Sequence, residues 1–325
     1  MILVIGEALI DLIGAADGSG QYQAVVGGAN ANVALALARR GVEQRFLGRI
    51  SSDGFGQQIR ERLSSNGVNL DYSINAKEQT SLAVATIGDG GSASYSFYVD
   101  GTADWGWTEH ELPNAVELAS LDTRAVQFGC LAMAIAPGGL VLEKWLRELY
   151  ATNQMTLSHD LNIRSALGFE RESELARVQR INAHSHIIKA SDADIEWLYD
   201  LPVGVAIDEI ALSWSQGGKL VVITRGGDGA TLFLNGNKLH AKAPKINLVD
   251  TVGAGDTFMA NLLAELDLMG ALGDEPISRL ANLAAAQLQT AAEVAAIAAG
   301  IVCERKGCEP PTLAETTARV ADQAR

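Results

Sequence analysis

The feature that most constrains the fold is a regular alternation of short apolar runs with longer helical segments from about residue 120 onwards. The apolar runs have the length of buried strands, and the segments that follow them carry apolar residues at helical spacing. Such alternation predicts a parallel sheet covered by helices on both faces. The pairs are 125–129 with 138–152, 155–162 with 170–183 and 186–190 with 192–201, and a further strand at 219–226 follows a helix predicted at 204–215.

The N-terminal part begins in the same way and then changes. Residues 2–6 (ILVIG) predict a buried strand, and residues 27–41 predict a helix. Residues 78–100 instead contain two β-like runs around GDGG at 88–91, which predicts a hairpin. With residues 12–26, this hairpin predicts a small sheet that is separate from the main sheet.

Two alanine-rich helices are predicted in the C-terminal part, at 256–270 and 275–304. No repeat, low-complexity linker or change of composition divides the chain. We therefore predict a single domain over residues 1–325, which is ample length for a sizeable core.

Charge and cysteine content exclude several classes of partner. The net charge is −14 and no basic patch is evident, whereas nucleic-acid binders carry a basic surface. Anionic membrane surfaces are disfavoured for the same reason. The three cysteines form no CxxC pair, the N-terminus lacks a basic signal region, and no run of about 18 apolar residues is present. These features predict a cytoplasmic protein.

The stretch LVDTVGAGDTF, residues 248–258, combines two glycines with two acids at a predicted helix start. Free N–H groups and the helix dipole make such a start an anion site, and glycine lets the anion approach closely. Asp256 lies in the first turn, where an acid is also favourable for purely structural reasons. The second acid, Asp250, and the paired glycines Gly253 and Gly255 favour a functional interpretation.

Other glycine-rich turns are weaker signals. No P-loop sequence is present, and the turn at 221–230 (VVITRGGDGA) lacks the order of a dinucleotide-binding motif. The segment GGANAN at 27–32 places glycines before a helix, and Asn32 and Asp11 could bind a polyhydroxy ligand. For each of these, a structural role as a cap or turn residue remains an alternative.

In combination, these motifs resemble those of the PfkB (ribokinase-like) carbohydrate kinases. GGANANVALALARRG followed by FLGRISSDGFG is similar to the N-terminal signature of that family, and DTVGAGDTF is similar to its C-terminal signature. GEALIDLI, DLNIR, KASDADIEWLY, VVITRGGDGA and ERKGCEPP follow in the order typical of the family. The resemblance spans essentially the whole chain, and GEALID and GGAxANVA look most like fructokinases.

The resemblance implies an α/β fold, a ribokinase-like three-layer α/β/α sandwich of nine or so strands, mostly parallel, with a small β-sheet lid over the sugar. The lid strands are expected within 12–28 and 78–104. It also implies transfer of the γ-phosphate of ATP to a primary hydroxyl, with Mg²⁺ and in many cases K⁺, and a homodimer formed through the lid.

The resemblance also implies roles for individual residues. Asp256 would be the general base, and the backbone N–H groups of Gly253, Ala254 and Gly255 would form the anion hole, Gly253 and Gly255 also contacting ATP. The residues expected to hold the sugar are Asp11, Gly27, Gly28, Asn32 and Arg164. Those expected to line the nucleotide are Thr224, Gly226 and Gly229. Asp250 would lie beside the monovalent cation with the backbone near Gly307, and Asp194 would be associated with Mg²⁺.

The sequence departs from the family pattern at several positions. Ser191 and Asp194 stand where the family has Asn and Glu in its N-x-x-E motif, which puts the metal residues in doubt. Ala296 replaces an Asn near the nucleotide, and Asn30 stands where fructokinases often have proline. Fructose is the predicted substrate. A sugar acid such as 2-keto-3-deoxygluconate, whose carboxylate Arg164 could bind, a nucleoside, and a non-catalytic sensor remain alternatives.

Overall fold

The computed structural model describes residues 1–15, 19–87 and 93–323. Its centre is an eight-stranded sheet in the order β14-β13-β12-β11-β10-β9-β1-β4. Strands β12 to β14 are joined as an antiparallel meander, and all other neighbours in this sheet are parallel. The strands are β1 Ile2–Ile5, β4 Gln44–Leu47, β9 Ala125–Gly129, β10 Thr156–Asp160, β11 Ile187–Ser191, β12 Leu220–Thr224, β13 Ala230–Leu234 and β14 Asn237–Ala241.

The central strands are buried on both faces, which explains why they are apolar without interruption. In β12, Leu220 and Val222 join one hydrophobic cluster, whereas Val221 and Ile223 join another on the opposite face. Successive side chains point to opposite faces of a strand, so each strand contributes to two cores.

Helices cover both faces. The cluster on one side of the sheet is built largely from α1, α9 and α11, and the opposite side is covered by α5, α6, α7 and α8. The helices are α1 Ala29–Arg39, α2 Gly54–Ser65, α3 Ala115–Ser120, α4 Cys130–Ala134, α5 Gly138–Thr152, α6 Arg171–Ala183, α7 Asp192–Leu198, α8 Asp208–Trp214, α9 Ala254–Leu268, α10 Pro276–Ala281, α11 Ala285–Cys303 and α12 Leu313–Gln323. The expected three-layer sandwich is thereby confirmed, with eight strands in its main sheet.

A separate four-stranded sheet lies apart from the main one, in the order β3-β2-β7-β8. Its strands are β2 Leu9–Gly14, β3 Tyr22–Gly27, β7 Leu82–Ile87 and β8 Ala93–Tyr98. Strand β2 therefore begins before residue 12, where the small sheet was expected to start. The GDGG turn predicted at 88–91 lies outside the described residues. A short parallel pair, β5 Arg49–Ser51 with β6 Ile74–Ala76, completes the sheets of the described chain.

The C-terminal helical part differs from its prediction. The expected helix 275–304 is two helices, because the chain turns at 282–284 between α10 and α11. Pro276 begins α10, and the Gln287 side chain accepts a hydrogen bond from the Ala284 N–H at 3.0 Å, which caps the start of α11. Within the described residues, α11 alone is long and apolar enough to cross a membrane, but most of its apolar stretch is buried in the protein.

Candidate active site

A cavity of about 690 Å³ lies between the small sheet and the carboxyl-terminal edge of the main sheet. Ligands of open α/β sheets bind at this edge. The small sheet contributes Asp11, Val25 and Phe97 to its wall, and the start of α9 faces them with Gly255 and Asp256. The predicted sugar and anion residues Asp11, Gly27, Gly28, Asn32, Arg164, Gly253, Ala254, Gly255 and Asp256 all line this one cavity.

The start of α9 has the geometry of an anion site. Gly253 precedes the helix with a φ of 76°, a left-handed conformation that favours glycine. A Cβ on Gly253 would lie 2.3 Å from Cys308 Sγ, so packing also excludes a side chain. Within the described chain, the N–H groups of Gly255 and Asp256 have no acceptor, and the dipole places roughly half a positive charge here.

One of the three predicted anion-hole donors is already engaged. The Ala254 N–H donates to Thr251 O at 3.2 Å, closing a turn before the helix. The Thr257 N–H likewise donates a hydrogen bond, to Gly253 O at 2.8 Å. The available donors of this turn therefore include the N–H of Asp256, which the sequence prediction did not name.

Asp256 is buried at the start of α9 and accepts a hydrogen bond from Asn32 Nδ2 at 2.8 Å. Burial raises the pKa of Asp256 to about 7, against the opposing effect of the Asn32 hydrogen bond. The Asp160 carboxylate also raises this pKa, while Lys189 and Arg164 lower it. A carboxyl group with a pKa near neutrality is suited to accept a proton from an alcohol.

Asp11 projects from the small sheet toward the same cavity. Its Oδ2 would be only 2.1 Å from a Cβ on Gly27, so glycine is required for the carboxylate to lie there. Burial raises the pKa of Asp11 to about 6, with Arg164 opposing the shift. No side chain or backbone group of the described residues donates a hydrogen bond to this carboxylate, which leaves it open to ligand hydroxyls.

Glu7 is a site residue that the sequence analysis missed. Its buried carboxylate accepts hydrogen bonds from the N–H of Ala29 at 3.0 Å, from Asn30 Nδ2 at 2.9 Å and from the N–H of Ala132 at 3.3 Å. It therefore connects the starts of α1 and α4 beneath the cavity. The motif GEALID contained this residue, but an acid after a buried strand gave no sign of its partners.

Asn30 has a structural role that explains the departure from proline. Its side-chain amide donates to Glu7 and to Gly129 O at 3.2 Å, and the residue is buried away from the cavity wall. Gly28, just before α1, has a φ of 104° and would place a Cβ 2.6 Å from Glu7 O. The glycine turn is thus fixed by the same network.

Arg164 lines the cavity without a carboxylate partner among the described residues. Its guanidinium donates to Asn162 Oδ1 at 2.5 Å and weakly to nearby carbonyl oxygens. Many of the other described arginines form ion pairs with a carboxylate, but Arg164 forms none with a described residue. An arginine in this situation has donors left for an anionic group of a ligand.

A buried ion pair lies next to the anion site and was also missed. Lys189 Nζ contacts Asp160 Oδ2 at 2.6 Å, and both residues are almost inaccessible to solvent. They come from neighbouring strands and are far apart in the sequence. Local patterns do not reveal such a pair, and Arg164 was the one residue of the motif DLNIR for which a role was predicted.

The structure gives Asp194 a structural task. Its Oδ2 accepts the Ser191 N–H and its Oδ1 accepts the Ile163 N–H, both at 2.8 Å, while Ser191 Oγ caps the Asp194 N–H at 3.0 Å. Ser191 and Asp194 thus form a capping box at α7. Each Asp194 oxygen accepts one backbone N–H group and keeps further acceptor capacity, so the expected association of Asp194 with Mg²⁺ stays a prediction.

Asp250 connects two loops that lie 57 positions apart. Its Oδ2 accepts the Gly307 N–H at 2.8 Å, and its Oδ1 accepts the Val252 N–H at 3.1 Å. A carboxylate has further acceptor capacity, so these bonds leave room for a cation. The two segments predicted to form the monovalent-cation site therefore meet at this residue.

Three of the residues predicted for the nucleotide, Thr224, Gly226 and Gly229, lie outside the cavity wall, whereas Gly253 and Gly255 line it. Thr224 ends β12 and pairs in register with Ser191 of β11, which places it at the same edge of the main sheet. Gly226 and Gly229 follow in the turn to β13, with φ values of 50° and 90°. A Cβ on Gly229 would lie 2.1 Å from Ala241 O, so this glycine is required by the fold itself.

A buried carboxyl group beside free N–H groups, with a second acid from the small sheet in the same cavity, can hold an anion next to a group that accepts a proton from an alcohol. The model of the pfkB family carbohydrate kinases matches residues 1–315. A fructokinase of Rhizobium leguminosarum bv. trifolii is 35% identical over 288 residues, which cover 86% of this chain and 84% of that protein. The chain belongs to the pfkB family of carbohydrate kinases, phosphotransferases with an alcohol group as acceptor.

Solved structures agree with this fold. A fructokinase from Xylella fastidiosa with bound ATP superposes with a TM-score of 0.88 at 22% identity, covering 100% of this chain and 99% of the other. A double mutant of fructokinase from Vibrio cholerae O395, in a form with fructose, ADP and potassium ion bound, gives a TM-score of 0.79 at 23% identity. In that comparison 98% of this chain and 97% of the other are covered.

Proposed function

We propose that this chain is a fructokinase, which transfers the γ-phosphoryl group of ATP to a hydroxymethyl group of fructose. The observation that carries the proposal is the buried Asp256 at the start of α9, beside the unpaired N–H groups of Gly255 and Asp256 and facing the open carboxylate of Asp11. Residues 1–325 would act as one kinase domain, with the small sheet as a lid.

The proposed reaction is an in-line transfer. The sugar hydroxyl gives its proton to Asp256 while its oxygen forms a bond to the γ-phosphorus, and the bond from that phosphorus to the β–γ bridging oxygen breaks. The free N–H groups at the start of α9 donate to the oxygens on which negative charge is concentrated. Such transfers depend on positioning and charge stabilisation more than on covalent chemistry by the protein.

The described residues contain no group of three or more His, Cys, Asp or Glu side chains arranged to hold a metal ion. This fits a Mg²⁺ ion that arrives on the ATP phosphates and keeps several water ligands. Bound in that way, Mg²⁺ would neutralise phosphate charge. The protein residues would then orient the nucleotide, with Thr224, Gly226 and Gly229 at the sheet edge.

Fructose is favoured by two features together. The relative that is 35% identical is named a fructokinase. In the cavity, Asp11, Asn32 and the backbone at Gly27 and Gly28 could bind the hydroxyl groups of an uncharged sugar. Asp11 can accept two hydroxyl protons because both of its oxygens are unoccupied by the described protein.

Arg164 favours a second candidate, a sugar acid such as 2-keto-3-deoxygluconate. Its guanidinium reaches the cavity without a carboxylate partner in the described chain. A carboxylate of the substrate could take that place as a charge-assisted pair. The same arginine could instead bind phosphate, so it does not by itself decide between the two substrates.

The experiment is an ADP-release assay over ketoses, aldoses, 2-keto-3-deoxygluconate and nucleosides. We expect the highest kcat/KM for fructose, with Arg164→Gln reducing the rate on fructose without changing the order of acceptors. A preference for the sugar acid that Arg164→Gln abolishes would establish the second candidate. A preference for nucleosides would contradict both.

We further propose that the protein is cytoplasmic and forms a homodimer through the lid. Tyr22 and Tyr98 are about half or more exposed on the small sheet. Burying them against a second copy would remove this apolar surface from water. Light scattering that shows only monomers at micromolar concentration would contradict the dimer.

A further inference from the structure

The buried ion pair Asp160–Lys189 lies directly against the start of α9. Asp160 ends β10, Lys189 lies in β11, and the two are register partners on adjacent parallel strands. A Cβ placed on Gly255 would lie 3.3 Å from Lys189 Nζ and 3.9 Å from its Cε. The ammonium group is therefore next to the N–H groups that form the anion site.

The ammonium group of Lys189 has donors to spare. It carries three N–H bonds, and within the described chain Asp160 Oδ2 is the one acceptor it contacts. Lys189 also lines the cavity. Burial disfavours its charge, but the carboxylates of Asp160, Asp256 and Asp194 together more than offset this and hold the pKa of Lys189 above its usual value.

Buried charges normally occur in pairs with all their donors and acceptors satisfied. Here Asp160 Oδ1 is buried with no hydrogen-bond partner among the described residues, and Lys189 has unused donors facing a cavity. If the pair only held β10 to β11, we would expect its donors and acceptors to be satisfied within the protein and not directed at the anion site.

We propose that Lys189 is a catalytic residue that contacts the transferred phosphoryl group, and that Asp160 positions its ammonium group. The inference rests on the proposed function of Asp256 and the α9 N–H groups. Lys189 supplies a full positive charge beside the start of α9, so that its ammonium group and the free N–H groups act together on the oxygens of the moving phosphoryl group.

The role of Lys189 in the transfer is electrostatic. The sugar proton goes to Asp256, one P–O bond forms and one breaks, and Lys189 stays protonated throughout. Its positive charge would also oppose the repulsion between the phosphates and a chain with a net charge of −14. Gly255 lacks a side chain at the point where one would crowd the ammonium group.

The test compares Lys189→Met, Asp160→Asn and the double variant. Lys189→Met alone leaves a buried unpaired carboxylate and can be destabilised for that reason. The double variant removes both charges and should fold, because replacing a buried pair by uncharged groups of similar size is often tolerated. Melting temperature, kcat, KM for the acceptor, and binding of ADP with aluminium fluoride as a phosphoryl mimic are measured for each.

We expect the folded double variant to lose about a hundredfold or more in kcat, the size of losing one charge-stabilising donor. Acceptor KM should change little, and affinity for ADP with aluminium fluoride should fall while affinity for ADP alone is retained. Asp160→Asn, which keeps the ammonium group, should lose less than the double variant.

A double variant that folds and turns over within about threefold of the wild type would show that the pair is only structural, and it would overturn the inference. So would equal losses of affinity for ADP and for ADP with aluminium fluoride. A wild type that phosphorylates no acceptor in the panel would overturn the proposed function and this inference together. An active wild type with an active double variant contradicts only the role of Lys189.

Discussion

Asp256 has two properties that matter for a base: it is buried, and within the described residues Asn32 donates the one side-chain hydrogen bond that it accepts. Burial raises its pKa to about 7, which is far above the ordinary value for an aspartate. A base must be deprotonated to act, so activity should be low below this pKa and should rise as the pH passes through it.

The first prediction is a pH profile. We expect kcat/KM of the wild type to rise through pH about 7. Asn32→Ala removes a hydrogen bond that favours the charged carboxylate, so the rising limb should move to higher pH. Asn75→Ala, at an exposed position outside the cavity, is the control. An unchanged limb in Asn32→Ala would show that another group controls the profile.

The start of α9 shows what sequence can predict at the scale of an element. The glycine pattern placed the helix start near Gly255, and the helix begins at Ala254. Periodicity and glycine turns are local, so they are visible in the sequence. Which N–H groups stay free depends on the exact shape of the turn before the helix, where Thr251 O accepts the Ala254 N–H, and the glycine pattern does not specify that shape.

The second prediction concerns this turn. Gly253→Ala would force alanine into a left-handed conformation and place its Cβ against Cys308 Sγ. We expect a stability loss of at least about 1 kcal/mol and a large loss of activity. Gly54→Ala, at the exposed start of α2 with open space around it, is the matched control. Thermal melting and turnover measure both, and a Gly253→Ala protein as stable and active as the control would contradict the geometry.

Asp104 connects the two central lid strands where they leave the main body. Its Oδ1 accepts the Ala8 N–H at 2.8 Å, just before β2, and its Oδ2 accepts Ser81 Oγ at 2.5 Å, just before β7. Burial raises the pKa of Asp104 to about 7, with Ser81 and Ala8 opposing the shift. The folded protein thus holds a proton here that the unfolded chain has already lost above about pH 4.

The third prediction follows from that difference. Between pH about 4 and 7 the folded state binds one proton more than the unfolded chain at this group. The free energy of unfolding therefore falls as the pH rises through this window. Asp104→Asn should make stability less dependent on pH, by up to about 1.4 kcal/mol per pH unit. Urea unfolding from pH 4.5 to 7.5 measures the slope, with the exposed Asp71→Asn as control. Identical slopes in wild type and Asp104→Asn would contradict it.

At the scale of the whole molecule, the alternation of strands and helices predicted the parallel sheet and its helical layers. The antiparallel strands β13 and β14 were not predicted. Strand β14 is a short edge strand with polar residues, which gives little signal, whereas β13 is apolar and buried and was missed in spite of its pattern. Glu7 and the Asp160–Lys189 pair were missed for a related reason. Their partners come from distant segments, and only the assembled sheet brings them to the cavity.

The fourth prediction depends on the meeting of two distant loops. Asp250 joins the segment before α9 to Gly307, so a cation bound there would order the anion site and the C-terminal loop together. We expect K⁺ to raise turnover several-fold over tetramethylammonium, and Asp250→Ala to abolish the difference. Equal rates in the two salts would remove the cation site from the account.

The most direct test of the central claim is ADP formation from ATP and fructose at pH 8 by the wild type and by Asp256→Asn. Asparagine keeps the size of the side chain but cannot take the hydroxyl proton. The account predicts fructose-dependent turnover in the wild type and at least about a hundredfold lower kcat in Asp256→Asn, with fructose still bound. Turnover of Asp256→Asn close to that of the wild type would contradict it.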